Sequence, residues 1–170
     1  LGCVFCQNAA IHDASAGEAY DEESLAALFL SLMRQGAHNI DLVTPTPHVP
    51  VLREALRIAR ARGLAIPVVY NCGGYEKADV LSSLSGLVDV YLPDLKYVSG
   101  TLSERFSGAA DYFTYAAPAI EEMYRQTGPL RLDENGLAVG GLAIRHLVLP
   151  CCLADSRRVL CYIRERFPAH

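Results

Sequence analysis

Several familiar signals are missing from this sequence. No apolar run approaches the roughly 20 residues needed to span a bilayer, and no charged segment leads into an apolar stretch as in a secretory signal. The cytoplasm is therefore the expected compartment, with no membrane partner. A basic surplus is also missing: 15 Lys and Arg against 19 Asp and Glu leave a formal net charge of -4, the wrong sign for a protein that grips a phosphate backbone. Nucleic acid is not expected as a partner. No Gly-x-Gly-x-x-Gly follows an apolar run, which argues against a dinucleotide-binding sheet. No repeat, low-complexity tract or linker divides the 170 residues, so residues 1–170 are read as one domain. Six cysteines are present, but their scatter is unlike that of a secreted scaffold, and a chain that is 51% hydrophobic has core enough without disulfides. They read as reduced thiols.

What is present begins at the third residue. Cys3-Val-Phe-Cys6 places two thiols two residues apart on a short segment, where no hydrophobic core calls for them. Two such thiolates can converge on zinc, on an iron-sulfur cluster, or on each other as a redox pair. Spacing alone does not choose among the three. The redox pair is the weakest reading, because that motif normally follows a strand and opens a helix in a smaller fold.

Behind this segment the pattern alternates between helix and strand. Asp21 is placed to cap a helix carrying Leu25, Leu28, Phe29 and Leu32 that ends at Gly36. A strand follows over 39–44, stopped by Pro45 and Pro47, and then a helix with Pro50 near its start and Leu52, Ala55, Leu56 and Ala59 on one face. The next unit is a strand over 66–71 and a helix with Val80, Leu81 and Leu84; the third strand covers 87–92 and meets Pro93. A long polar connection leads to a helix ending near Gln126, in which Pro118 suits a first turn or a break better than an interior position. Asp133-Glu-Asn-Gly136 reads as a hairpin turn ahead of a strand over 142–149, and a last helix runs to about Phe167. The strands are nearly continuous apolar runs, as in a parallel sheet covered on both faces, so the expected fold is α/β and a β/α barrel or part of one.

Barrels of that kind build chemistry at the C-terminal ends of their strands. Those positions here hold Thr44-Pro-Thr-Pro-His48, Asn71-Cys-Gly-Gly-Tyr75, Pro93-Asp-Leu-Lys96 and His146-Leu-Val-Leu-Pro150-Cys-Cys152. Asp94 and Lys96 form a charged pair that no packing demand explains. Cys161, on an amphipathic helix, reads as a small buried residue, and Cys72, Cys151 and Cys152 are read chiefly the same way. His12 and His48 read as surface or capping histidines.

Taken in order, these segments resemble radical S-adenosylmethionine (SAM) enzymes, in particular the uncharacterised group of the pyruvate formate-lyase activating enzyme-like branch. Cys3-Val-Phe-Cys6-Gln-Asn8 looks like the last part of that family's cluster loop; 43–48, 69–75, 91–96 and 145–150 are similar to later segments. The resemblance implies a 4Fe-4S cluster with Cys3 and Cys6 as its second and third ligands, and therefore as the catalytic and metal residues. Phe5 and Asn8 would then lie by SAM, Thr44 and Thr46 would meet its amino group, and Asn71, Asp94, Lys96 and His146 would complete its site, with a monovalent cation near Asn71 and Asp94. The implied reaction is reductive cleavage of SAM to a 5′-deoxyadenosyl radical that abstracts hydrogen from a substrate. The implied partners are an electron donor such as flavodoxin or ferredoxin and a glycyl radical enzyme. The first cluster cysteine is expected four residues before Cys3, which makes this chain the central part of a TIM-type barrel whose first and last strands are missing. The alternative is a non-catalytic or degenerate metal-binding fragment, with zinc or iron held by the Cys-x-x-Cys.

Overall fold

A computed structural model describes residues 1–7 and 17–167. The second described stretch soon enters α1, Glu22–Arg34, where the Asp21 side chain accepts the Ser24 amide at 2.8 Å and ties off a free helix N–H. The order that follows is β1 Ile40–Val43, a 3-10 turn at Thr46–His48, α2 Val49–Ala61, β2 Val68–Cys72, α3 Ala78–Ser82, β3 Val90–Pro93, α4 Gly100–Ser107, α5 Tyr112–Thr127, β4 Arg131–Leu132, β5 Ala138–Leu142 and α6 Leu153–Arg166. The five strands form one sheet in the order β1-β2-β3-β5-β4. All neighbours are parallel except β4 and β5, which form an antiparallel pair. The protein is thus of the α/β class with a mostly parallel sheet. Among the described residues, no helix is long and apolar enough to cross a membrane.

The register decides what each face of the sheet carries. Paired residues of parallel strands point to the same side, so Ile40 with Val68, and Leu42 with Tyr70 and Tyr91, form rows on one face. These rows enter the two apolar clusters. One gathers Ile40, Leu42 and Val68 under α1 and α2; the other gathers Tyr70, Cys72, Tyr91 and Leu142 with Ala116, Ile120 and Met123 of α5 and Val159 of α6. The opposite rows join Asp41 to Val69 and Val90, and Val43 to Asn71 and Leu92, and none of these residues belongs to either cluster. Asp41 is exposed and Val43 is 47% exposed. The strands β2 and β3 are buried at almost every residue, as their apolar runs require, whereas β1 alternates buried and exposed because its second face is not covered by helices.

Three local outcomes differ from the expectations. Pro118 sits inside α5 without ending it; the residue is exposed, so the carbonyl its missing N–H leaves open faces solvent, where water can bond it. The polar connection after β3 contains α4, which is short and starts at a glycine, too weak a pattern to show in sequence. Its start is held from a distance, since the buried Asp155 carboxylate accepts the amides of Val98 and Ser99 at 3.1 and 3.0 Å. The last strand lies at Ala138–Leu142 rather than 142–149, and of the later segment Arg145 alone bridges, to Asp94. Gly140 and Gly141 hide that strand from propensity, yet the fold needs them: a side chain at Gly141, with φ of 107°, would stand 2.1 Å from the Pro129 carbonyl oxygen.

Candidate functional site

The strand ends of β1, β2, β3 and the segment after β5 carry a continuous line of polar side chains on the face away from the helices. Asn71 donates to Asp41 at 3.3 Å and accepts from the Arg145 guanidinium at 2.7 Å. Arg145 also pairs with one oxygen of Asp94 at 2.8 Å, and Lys96 pairs with the other. Lys96 reaches back to the Gly73 carbonyl at 3.4 Å. Two carboxylates and two cations thus balance one another, and the Lys96 side chain is only 10% exposed. Backbone bonds fix the geometry: Arg145 donates to Pro93 at 2.9 Å and accepts from Leu95 at 2.8 Å.

Beneath this line stands Tyr112, fully buried at the start of α5. Its hydroxyl accepts the Lys96 amide at 3.1 Å and faces the carbonyls of Gly73 and Asp94 at 2.9 and 2.8 Å, joining the ends of β2 and β3 at one point. Burial raises its hydroxyl pKa well above the ordinary range. Gly74 allows the same approach, because a side chain there would stand 2.1 Å from the Asp94 carbonyl oxygen. Sequence reasoning missed Tyr112, which follows Asp94 by 18 residues and carries no motif.

The cysteine segment docks nearby, on the end of α4. Gly2 and Val4 donate to the carbonyls of Ser107 and Phe106 at 3.1 and 2.9 Å, so the backbone is held on both sides of Cys3, and the Cys6 amide closes a turn onto the Cys3 carbonyl at 3.1 Å. The Cys3 sulfur lies 3.0 Å from the Ser107 hydroxyl, itself 3.0 Å from that of the buried Tyr97. Leu1 borders the charged line: a side chain added at Gly73 would lie 3.5 Å from both the Leu1 methyl and the Lys96 ammonium. Phe5 is half-buried against the larger apolar cluster. Asn8 and His12 lie outside the described residues.

The remaining residues expected at the site are spread more widely. Thr44 adopts φ of 53° and donates its amide to Asn71 at 2.8 Å, at the end of β1. Thr46 turns instead to a second cluster, donating its hydroxyl to Glu76, which Tyr70 also approaches at 3.4 Å from the helix-covered face. His146 uses Nδ1 on the Leu95 carbonyl at 2.7 Å, which makes Nδ1 the protonated nitrogen, and its buried Nε2 has no partner among the described residues. His48 closes the 3-10 turn and is exposed. Cys72 is buried and its thiol is pushed up chiefly by burial, Cys151 and Cys161 are exposed, and Cys152 is half-buried. The exposure of Cys161 differs from its expected place in the core. Among the described residues, no three His, Cys, Asp or Glu side chains converge as metal donors, so neither Cys72 nor the 151–152 pair brings a third thiolate to Cys3 and Cys6.

Glu76 was not singled out in the sequence, since nothing near Tyr75-Glu76-Lys77 marks a buried acid. It is 3% exposed and borders a cleft of about 380 Å³ lined by Thr46, Tyr75, Lys77, Val80 and Tyr115. Burial raises its pKa above the usual 4.5, against the opposing hydrogen bonds of Thr46, Tyr70 and Cys72. The folded state therefore keeps this proton to higher pH than the unfolded chain. Its stabilising contribution is present below 4.5 and is lost as pH rises through the raised folded value. Glu76→Gln keeps an oxygen for Thr46 and Tyr70 but cannot ionise. Its melting temperature should gain on that of the wild type as pH rises above 4.5; a difference that does not change with pH would show that Glu76 ionises without penalty.

Fold and site together define an α/β protein with a charged line across its strand ends and a docked cysteine turn beside it. No family model matches the chain. It is similar to an uncharacterized protein of Methanocaldococcus jannaschii, with 29% identity over 163 residues, covering 88% of this chain and 43% of that relative. The chain thus spans less than half the length of the curated relative it matches.

Proposed function

We propose that this chain carries the central part of a radical SAM active site of the pyruvate formate-lyase activating enzyme-like kind. The observation that carries the reading is the placement of the Cys3–Cys6 turn at the end of α4, with Leu1 beside Gly73, which the Lys96 ammonium of the Asp94 line also approaches. A soft cluster ligand and a set of charged groups suited to an amino acid then share one end of the sheet. The order β1-β2-β3-β5, four parallel strands in chain order without reversal, supports an arc of a TIM-type barrel, with the face bearing Asp41, Asn71 and Asp94 turned to the barrel interior.

The donor chemistry suits two ligands of an iron-sulfur cluster: Cys3 and Cys6 would hold it, and the third thiolate has to come from outside the described residues. When bound, a 4Fe-4S cluster supplies the single electron that cleaves the sulfonium of SAM to a 5′-deoxyadenosyl radical. The chain's own residues bind and orient. Arg145 is 44% exposed and offers a guanidinium edge to the SAM carboxylate, while Asp94 and Lys96 hold that edge in place. Thr44 presents the polar groups of the β1 end to its ammonium, whereas the Thr46 hydroxyl stays with Glu76, and Phe5 offers a ring to the adenine. An electron donor such as flavodoxin or ferredoxin, a glycyl radical enzyme as hydrogen-atom source, and the cytoplasm as compartment complete the proposal.

The test is anaerobic reconstitution of the protein that contains this chain with ferrous iron and sulfide, followed by SAM and a strong one-electron reductant. The expected result is iron-thiolate absorption and formation of 5′-deoxyadenosine. Tight retention of zinc, with neither iron uptake nor 5′-deoxyadenosine, would replace this reading with that of a metal-binding fragment.

A further inference from the structure

The resemblance implies a monovalent cation between Asn71 and Asp94, and the side chains present do not fit one. The oxygens that such an ion would use are already taken. Asp94 gives one oxygen to Arg145 at 2.8 Å and the other to Lys96, and Asn71 gives its oxygen to Arg145 at 2.7 Å. Charge argues the same way: Asp41 and Asp94 are matched by Lys96 and Arg145, and a further cation would sit between two fixed ones. The position is not a chance of a flexible arginine, because its backbone is bonded on both sides, to Pro93 at 2.9 Å and from Leu95 at 2.8 Å.

We infer that the guanidinium of Arg145 is a built-in cation, filling the place between Asn71 and Asp94 so that the site binds the carboxylate of an amino-acid ligand without any monovalent metal ion. Nε and Nη2 make the two internal bonds, and Nη1 has no partner among the described residues. That nitrogen, on a side chain 44% exposed, is the donor left for the ligand. Arginine suits the task because its planar fork serves Asp94, Asn71 and an incoming carboxylate at once, which a spherical ammonium cannot do. For SAM as the ligand, the inference rests on the function proposed above.

Two measurements test it separately. The first is SAM affinity of the reconstituted protein in about 0.1 M potassium, sodium or tetramethylammonium chloride, at equal ionic strength. Wild-type affinity should agree within about twofold in all three salts. Arg145→Ala should lose roughly tenfold or more in tetramethylammonium chloride, and potassium or sodium should restore part of it by entering the vacated position. A wild-type affinity that changes by about fivefold or more between potassium and tetramethylammonium overturns the inference. The second measurement is sodium-nucleus relaxation on the chain without SAM, with circular dichroism to show that the variant is folded. Excess relaxation in Arg145→Ala that potassium displaces, with none in the wild type, supports the built-in cation; excess relaxation in the wild type, or in neither protein, overturns it. Absence of SAM binding in every salt would defeat the proposed function and leave the second measurement to decide the role of Arg145.

Discussion

Cys3→Ala and Cys6→Ala are each expected to abolish iron-sulfur incorporation, with retained iron falling by at least about tenfold, while the chain still folds. The two parts of this prediction have different physical origins. Three thiolates are the minimum that holds a site-differentiated cluster, so losing one of them leaves an iron without its strongest ligand. Folding, by contrast, depends little on the Cys3 sulfur. Cys3 is half-buried and, among the described residues, its side chain makes a single hydrogen bond, to Ser107, worth about 1 kcal/mol. The turn itself is held by the backbone bonds of Gly2, Val4 and Cys6, which alanine keeps. Visible absorption, iron and sulfide analysis, and a melting curve for each variant make the check. A full cluster and undiminished 5′-deoxyadenosine formation in either variant would end the cluster assignment, whereas a collapse of the melting curve would show that the thiols serve the fold.

Asp94→Asn and Lys96→Ala are expected to weaken SAM binding by roughly tenfold or more, equivalent to about 1.5–3 kcal/mol of charged hydrogen bonding. Asp94 is the shared partner of Lys96 and Arg145, so an amide in its place leaves two cations with no charge between them and frees the Arg145 edge to wander. The geometry also gives the pair a part in the fold. Lys96 is 10% exposed, and a nearly buried ammonium that loses its carboxylate carries part of its desolvation cost into the fold. Asp94→Asn should therefore also lower the melting temperature by a few degrees, about 1–2 kcal/mol of stability. Calorimetric titration with SAM beside a melting curve reads both effects. Unchanged affinity together with a lowered melting temperature would make the pair a structural brace.

Much of the architecture was legible because its causes are local. The Asp21 cap, the Leu52, Ala55, Leu56 and Ala59 stripe of α2, and the apolar runs of β2 and β3 appear where the spacing of side chains put them. Elements whose stability comes from elsewhere in the chain were not legible. The helix α4 begins under a carboxylate contributed by α6, and the glycine-rich β5 forms because Pro129 and Arg131 pack where side chains at Gly140 and Gly141 would stand. Pro118 misled for the opposite reason, since its cost depends on whether the freed carbonyl faces solvent, which sequence does not record.

For the candidate site, local pattern was enough to place two thiols on a turn and Asn71, Asp94, Lys96 and His146 at the ends of strands. How these groups are shared, and the part of Arg145 among them, is settled in three dimensions. Arg145 bonds Asn71 across 74 residues of chain, and Thr46 bonds Glu76 across 30. Such partnerships follow from the register of parallel strands, in which a shift of one residue would send Asn71 and Asp94 into the helix-packed core and Tyr70 out of it. Composition and spacing act within a few residues, whereas register is set by the summed packing of a whole sheet against its helices. The chemistry on offer was therefore written locally, and its assembly into one line of paired charges was decided globally.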